Sequence, residues 1–479
     1  MEHVFDKLHE ECGVFGIFRK GGKTGVVPEA YHALYALQHR GQESCGVAIN
    51  CDGVMSCYKD VGLVTDVFTK DVLEKLPEGS MAVAHCLYGT KATKNRENAQ
   101  PMLINHRKGA LALCNNGVLA NAMELREELA DNGAIFHATS DAEVIAFIIA
   151  QERLKVHSVE EAVANAMERM IGAYSMVIMS PKKLIAARDP NGFRPLCMGE
   201  LDDGDIVFAS ESCALDAIGA RFIRDIEPGE VVVASEKGVK SLHCKRKAES
   251  SLCVFEFIYF ARPDSIVEGS SVHVARKRAG SFLALEHPVQ ADVVIGVPDS
   301  GLDAAMGYAQ QSGIPYGIGF IKNKYIGRTF IQPTQKERAN SVRIKLNAVR
   351  STVEGKRVVL VDDSIVRGTT SAHIVSLLRE AGAAEVHMRL SSPPFRHMCY
   401  FGTDIGSVEN LIAAKHSVEE ICKIIGADSL GFLNVDYLPL LADNSKCGFC
   451  NGCFTGKYPV DPPCQQQTPK CEKPLTKEQ

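Results

Sequence analysis

The segment VVLVDDSIVRGTT, residues 358–370, constrains this chain more than any other. It reads as a buried strand that ends in two carboxylates and passes through a loop of small and hydroxyl residues into a helix. The runs DVVIGVP (292–298) and AEVHMRLSSPP (384–394) repeat the style, and SAHIVSLLREAGA (371–383) supplies a helix between strands. Short apolar runs alternating with helices predict a parallel, doubly wound α/β sheet, in which ligands sit at the carboxyl ends of the strands.

The loop Ser364–Thr370 can offer a phosphate its backbone N–H groups, its hydroxyls and a helix N-terminus. Asp362 and Asp363 would repel phosphate but suit ribose hydroxyls or a magnesium ion. A second strand end, VVIGVPDSGLDAA (293–305), places Asp299, Ser300 and Gly301 where a helix begins. Taken alone this is an N-cap; beside the first loop it reads as a diphosphate loop, with Ser300 joining the Asp pair around magnesium. Between them lies KNKYIGRTFIQPTQKERANSVRIKL (322–346), cationic and broken by Gly and Pro. Such a stretch is a solvated loop or a lid that brings Arg328, Lys336 and Lys345 over a leaving group and excludes water.

With 479 residues the chain is expected to form two domains and a small appendage. Its 46% hydrophobic and 23% charged residues are those of a soluble protein, and a net charge of −5 argues against nucleic acid as the main partner. No apolar signal core or membrane span is visible, so the expected location is cytoplasmic. Seventeen Cys, an odd number scattered through apolar runs, are unlike a disulfide framework. Residues 12–236 mix β-rich runs such as CGVFGIF and EVVVA with helices, predicting a layered α+β domain. The polar stretch 240–251 is the expected linker, 252–441 the α/β domain, 442–459 a Cys-rich segment and 460–479 a disordered tail.

The signature VVLVDDSIVRGTT closely resembles that of phosphoribosyltransferases, and the cationic stretch resembles the flexible loop of glutamine phosphoribosylpyrophosphate amidotransferases. That resemblance implies that Asp362, Asp363, Ser364, Ile365, Val366, Arg367, Gly368, Thr369 and Thr370 hold the ribose and 5′-phosphate. Cys12, in EECGVFGIF, reads by itself as a core thiol. If residues 1–11 are removed as a propeptide, it carries nucleophile and α-amine together, and the amine can act as its general base. The segment is similar to the start of class II glutamine amidotransferase (N-terminal-nucleophile hydrolase) domains, and LQHRGQES, NNG, TSDAEV and ARDPNGFRPL follow in the family's order. By that resemblance Asn116 and Gly117 form the oxyanion hole, Asp141 binds the glutamine α-amine, Arg40 and Gly41 line the site, and Tyr88 couples the two sites. One departure stands out: in AHCLYGT, Leu87 occupies the place of the arginine that clamps the glutamine carboxylate, with Lys91 or Lys94 as conceivable substitutes.

CGFCNGCFTGKYP holds Cys447, Cys450 and Cys453 at spacings that suit zinc or an iron-sulfur cluster. Residues 450–459 resemble the tail of the iron-sulfur form of the amidotransferase, which implies a [4Fe-4S] cluster on Cys253, Cys399, Cys450 and Cys453, with Cys447 spare. The resemblance implies formation of phosphoribosylamine from phosphoribosyl pyrophosphate (PRPP) and glutamine in purine synthesis, a homotetramer and feedback inhibition by purine nucleotides. Two alternatives stand beside it: an ammonia-dependent phosphoribosyltransferase with an altered glutaminase site, and a non-catalytic PRPP-sensing regulator.

Overall fold

A computed structural model describes residues 12–88, 95–323, 346–403, 405 and 407–462. Lys91, Lys94, Arg328, Lys336 and Lys345, the leader 1–11 and residues 463–479 of the tail lie outside the described residues.

The first half is built on two antiparallel sheets. One has seven strands in the order Arg221–Asp225, Cys197–Glu200, Ile206–Ala209, Gly13–Phe18, Met81–Leu87, Ser44–Cys51 and Val54–Val61. The other has six, from Gly238–His243 at one edge to Met102–His106 at the opposite edge. The period of two explains the layering. In Gly13–Phe18, Val14 and Phe18 face the second sheet and join Val83, Ala112, Val177 and Phe208, whereas Phe15 and Ile17 face outward beneath the helix Val27–Ala36. On the far side Asp141–Lys155 and Val159–Met167 cover the second sheet through Ile145, Ile149 and Val163. The result is the expected αββα arrangement.

The polar stretch expected to be a linker differs in part. Gly238–His243 pairs along its whole length with Glu230–Ser235, and only the residues after it connect the halves. Its mostly exposed, lysine-bearing pattern is that of a sheet edge, which carries polar side chains on its free side.

The second half holds an all-parallel sheet in the order Val293–Gly296, Arg357–Asp362, Glu385–Leu390, Ser429–Phe432. Its strands are buried on both faces. Val294, Val359 and Val361 pack under the helices Val272–Glu286 and Gly301–Ser312, and Val358, Leu360 and Met388 pack under Thr369–Glu380 and Val418–Ile425. The Cys-rich segment docks on this half through Gly448–Cys450, which runs parallel to Ser251–Cys253 with Cys253 opposite Cys450.

Candidate active sites and cysteine cluster

Cys12 leads directly into Gly13–Phe18, whose pairing with Met81–Leu87 sets Gly13 opposite Cys86. Its Sγ lies 3.9 Å from the Tyr88 carbonyl. It opens on a cavity of about 360 Å³ whose wall includes Leu87, Tyr88, Asn98, Gln100, Asn115, Gly117 and Asp141. Asp141 is the first residue of its helix, not the cap: Ser140 caps, accepting from the Ala142 N–H. The Asp141 carboxylate accepts from the Leu119 N–H at 2.9 Å and remains part of the cavity wall. Burial raises its pKa from 3.8 to about 6, against the pull of that hydrogen bond and the Arg126 charge.

Asn116 is fully buried, and neither atom of its carboxamide has a hydrogen-bond partner among the described residues. Gly117 follows at φ +124°, where an added Cβ would stand 2.4 Å from the Ala173 carbonyl oxygen, so glycine is required. Three further residues shape the site: Asn98 and Gln100, which no motif marks, and Asn115, the first residue of NNG. Asn98 Oδ1 accepts from the N–H groups of Thr139 and Ser140, and Gln100 Oε1 accepts from the Asn115 N–H. They fix the two loops that carry Asp141 and Gly117. A second half of the wall, Cys399, Tyr400, Gly402, Thr403 and Ile405, comes from the other domain.

Arg40 departs from its expected role. Its guanidinium is not presented to the cavity; it is fully buried against Glu211 (2.6 Å) and Glu256 (2.8 and 2.9 Å). Burial opposes its charge, but the two carboxylates outweigh it and hold the pKa well above the ordinary arginine value. With four of its five N–H groups given to Glu211, Glu256 and the Cys12 carbonyl, Arg40 is committed to the protein and cannot offer a ligand's carboxylate a two-pronged contact. Gly41 allows its loop to lie on the next strand, where a Cβ would come within 2.5 Å of Cys86 backbone atoms. Leu87 is almost fully buried in the cavity wall.

At the second site the two loops meet at the carboxyl ends of adjacent parallel strands, Val293–Gly296 and Arg357–Asp362. Asp362 and Asp363 are buried, and Ser300 and Ser364 both donate hydroxyls to the Asp363 carboxylate, the latter at 2.6 Å. Ser300 therefore does not serve as a side-chain cap of its helix. Gly301 lets the helix start against the neighbouring strand, since a Cβ there would lie 2.4 Å from the Val361 carbonyl oxygen. Ile365 points into the core, leaving its backbone to the loop, while Gly368, at φ +88°, turns the chain into Thr369–Glu380. Exposed Asp299 pairs with Lys322 at 2.5 Å.

The third cluster is a small cavity lined by Cys253, Cys399, Cys450 and Cys453 among Phe193, Phe255, Phe395, Phe401 and Tyr458. Burial pushes the Cys450 thiol up to about 12, and burial with the charge of the neighbouring sulfurs holds the Cys453 thiol well above its ordinary value. Cys447 lies outside this lining and faces Glu268 and Ser250. Among the described residues no His, Cys, Asp or Glu group of three or more is arranged to hold a single metal ion, and every cysteine is a free thiol.

A layered αββα domain that shares a cavity with a parallel-sheet α/β domain has the architecture of a glutamine amidotransferase joined to a phosphoribosyltransferase. Family profiles match the same two parts: "Glutamine amidotransferase domain" over residues 90–217 and "Phosphoribosyl transferase domain" over residues 273–391. The chain is 48% identical over 459 residues to the amidophosphoribosyltransferase of Bacillus subtilis, covering 95% of each, and 46% identical to that of Archaeoglobus fulgidus, covering 95% of this chain and 99% of the relative. Among solved structures it is similar to the B. subtilis glutamine PRPP amidotransferase complexed with ADP and GMP (TM-score 0.87, 48% identity, 94% of this chain and 98% of that one). A second, described as the allosteric regulatory enzyme of purine biosynthesis, gives a TM-score of 0.89 at 46% identity, covering 97% and 99%.

The chain belongs to the amidophosphoribosyltransferase family, enzymes that convert PRPP, glutamine and water to 5-phosphoribosylamine, glutamate and diphosphate in purine biosynthesis. Near full-length identity to such enzymes disfavours both the ammonia-only enzyme and the non-catalytic regulator. Among the described residues no helix is long and apolar enough to cross a membrane.

Proposed function

We propose that Cys12, exposed as an N-terminal residue by removal of residues 1–11, is the nucleophile of glutamine hydrolysis. The observation that carries this reading is one cavity lined by the Cys12 thiol, the Gly117 turn and the Asp141 carboxylate, with the unpartnered amide of Asn116 beside the turn. The Cys12 α-amine takes the thiol proton as the sulfur attacks the glutamine carboxamide carbon, and the Asn116 amide and Gly117 N–H receive the negative oxygen. Asp141 holds the substrate α-ammonium. Ammonia leaves with a proton supplied by the Cys12 amine, and water cleaves the thioester to give glutamate. Tyr88 and the Tyr400–Thr403 loop, shared between the domains, suit a role in coupling the two sites.

In the second domain, residues 252–441, the loop 362–370 holds the ribose phosphate and Asp299–Gly301 the diphosphate. The nitrogen lone pair attacks C1, the C1–oxygen bond breaks, diphosphate departs with the electron pair, and the nitrogen loses a proton. Arg328, Lys336 and Lys345 would close over the leaving group. The buried oxygens of Asp362, Asp363 and Ser300 fit a hard divalent cation, and magnesium held there would neutralise charge on the diphosphate.

Four cysteines around one aromatic-walled cavity fit a [4Fe-4S] cluster, which takes one thiolate on each iron. Thiols held protonated by burial and by one another also fit a site completed by metal cations. The cluster would pin residues 442–459 to the second domain. Cytoplasmic location, a homotetramer and inhibition by purine nucleotides complete the reading, the last supported by the ADP and GMP in the B. subtilis structure.

The test is a glutamine analogue bearing an electrophile in place of the carboxamide. Intact mass should show a chain beginning at Cys12 with one adduct on that residue. An uncleaved chain, or labelling elsewhere, contradicts the assignment.

A further inference from the structure

The buried carboxylate of Glu256 lies in the second domain, on the single wide turn Glu256–Phe260, whose Phe257, Ile258 and Phe260 belong to that domain's core. Its partners lie in the first domain. Both its oxygens accept from Arg40, at 2.8 and 2.9 Å, and the Arg40 Nε in turn donates to the backbone carbonyl of Cys12 at 3.2 Å. The second arginine is Arg194, whose Nη1 stands 3.6 Å from Glu256 and whose Nη2 donates to the Phe401 carbonyl at 2.8 Å. Phe401 sits inside the loop whose Tyr400, Gly402 and Thr403 wall the nucleophile's cavity, and its ring stacks on Phe193 at 4.4 Å.

The geometry is a hub. Glu211 of the first domain shares Arg40 but also accepts from the Arg262 N–H (2.9 Å) and the Ser265 hydroxyl (2.7 Å) of the second, so the network spans both domains at each carboxylate. We propose that Glu256 is a positioning residue for glutamine hydrolysis: through Arg40 it fixes the carbonyl of the nucleophile residue, and through Arg194 it fixes the opposite wall of the same cavity. The first domain's site is then complete only when the second domain is seated on it. A carbonyl anchored this way sets the direction of the Cys12 amine and thiol, because both branch from the α-carbon next to that carbonyl. A neutral amide at position 256 removes the two-oxygen clamp and its charge, leaving Arg40 with Glu211 and the Cys12 carbonyl and a looser guanidinium.

The proposal rests on Cys12 as nucleophile, and the experiment separates the two. Full-length Glu256→Gln is compared with Glu268→Gln, which removes another interdomain ion pair, to buried Arg188, without touching Arg40. Glutamine-dependent kcat of Glu256→Gln should fall about 10²-fold, as expected when a reacting group is displaced by about an ångström, with KM for glutamine little changed and ammonium-dependent turnover retained. Glu268→Gln should keep glutamine turnover. Alkylation of Cys12 by a small neutral reagent should show a shifted pH profile in Glu256→Gln alone. Should Glu256→Gln fail to fold, Glu256→Asp gives the same reading, with a smaller fall in kcat. Equal losses in Glu256→Gln and Glu268→Gln, or glutamine and ammonium rates falling in proportion, would overturn the proposal. Loss of glutamine use in Cys12→Ala tests the nucleophile independently.

Discussion

Asp141→Asn is expected to stabilise the free protein and weaken glutamine binding at once. Burial raises the carboxyl from 3.8 to about 6, with the Leu119 N–H and the Arg126 charge acting the other way. The folded pKa thus exceeds the unfolded one, and the folded state binds the proton more tightly. Stability from this group is full below pH ~4 and is lost as pH rises through ~6, so at pH 7.5 the ionised carboxylate is a net cost. At ~1.4 kcal/mol per pKa unit the ceiling is ~3 kcal/mol. Because Asp141 opens partly to the cavity, and Asn keeps an acceptor for Leu119, a gain of about 1–2 kcal/mol is expected, visible as a rise of roughly 2–6 °C in Tm. The same change removes the partner of the substrate ammonium, a loss of ~1.5–3 kcal/mol or roughly 10–150-fold in glutamine KM. In the wild-type chain KM should rise about tenfold from pH 7 to pH 5, about fivefold of it below pH 6, as Asp141 protonates, a limb the variant lacks. Thermal melts and steady-state KM between pH 5 and 8 read both effects. An unchanged KM, or a lower Tm, refutes the reasoning.

Leu87→Arg places a guanidinium in the wall of the cavity that Asp141 also lines and should lower glutamine KM by about tenfold or more, consistent with ~1.5–3 kcal/mol for a charge-assisted contact; titration of glutamine against the wild-type chain checks it. Cys450→Ser should lose iron on anaerobic purification while Cys447→Ser keeps it, measured by iron content and visible absorption, since only Cys450 lines the four-cysteine cavity. Gly301→Ala should abolish PRPP-dependent turnover with either nitrogen donor while glutamine hydrolysis survives, because its Cβ would collide with the Val361 carbonyl and push the helix away from Asp362.

Local patterns made the fold legible. The apolar run before Asp362 has no polar face, so it had to be a strand covered on both sides, and the equally continuous apolar run CGVFGIF matches a strand between a partner sheet and a helix layer. Cys253 and Cys399 are far in sequence from the Cys450/Cys453 pair, yet the four line one cavity. What could not be read depends on contacts between distant segments. Arg40 looks like a ligand-binding charge in LQHRGQES; only the fold shows that Glu211 and Glu256, 171 and 216 residues away, occupy it. Asn98, Gln100 and Asn115 work by tying loops together, which no spacing announces. The Tyr400–Thr403 wall is invisible for the same reason, since it enters the first domain's cavity from the second. The edge strand Gly238–His243 resembled a linker because an edge needs only half the apolar residues of an interior strand.

The central claim is that the Cys12 cavity supplies nitrogen to a separate phosphoribosyl site, and amide-¹⁵N-labelled glutamine tests it most directly. With Mg²⁺ and PRPP, the wild-type chain should place the label in phosphoribosylamine even in excess unlabelled ammonium. Cys12→Ala should incorporate only unlabelled nitrogen at a comparable ammonium-dependent rate. Labelled product from Cys12→Ala, or loss of both activities in a folded variant, would contradict the account.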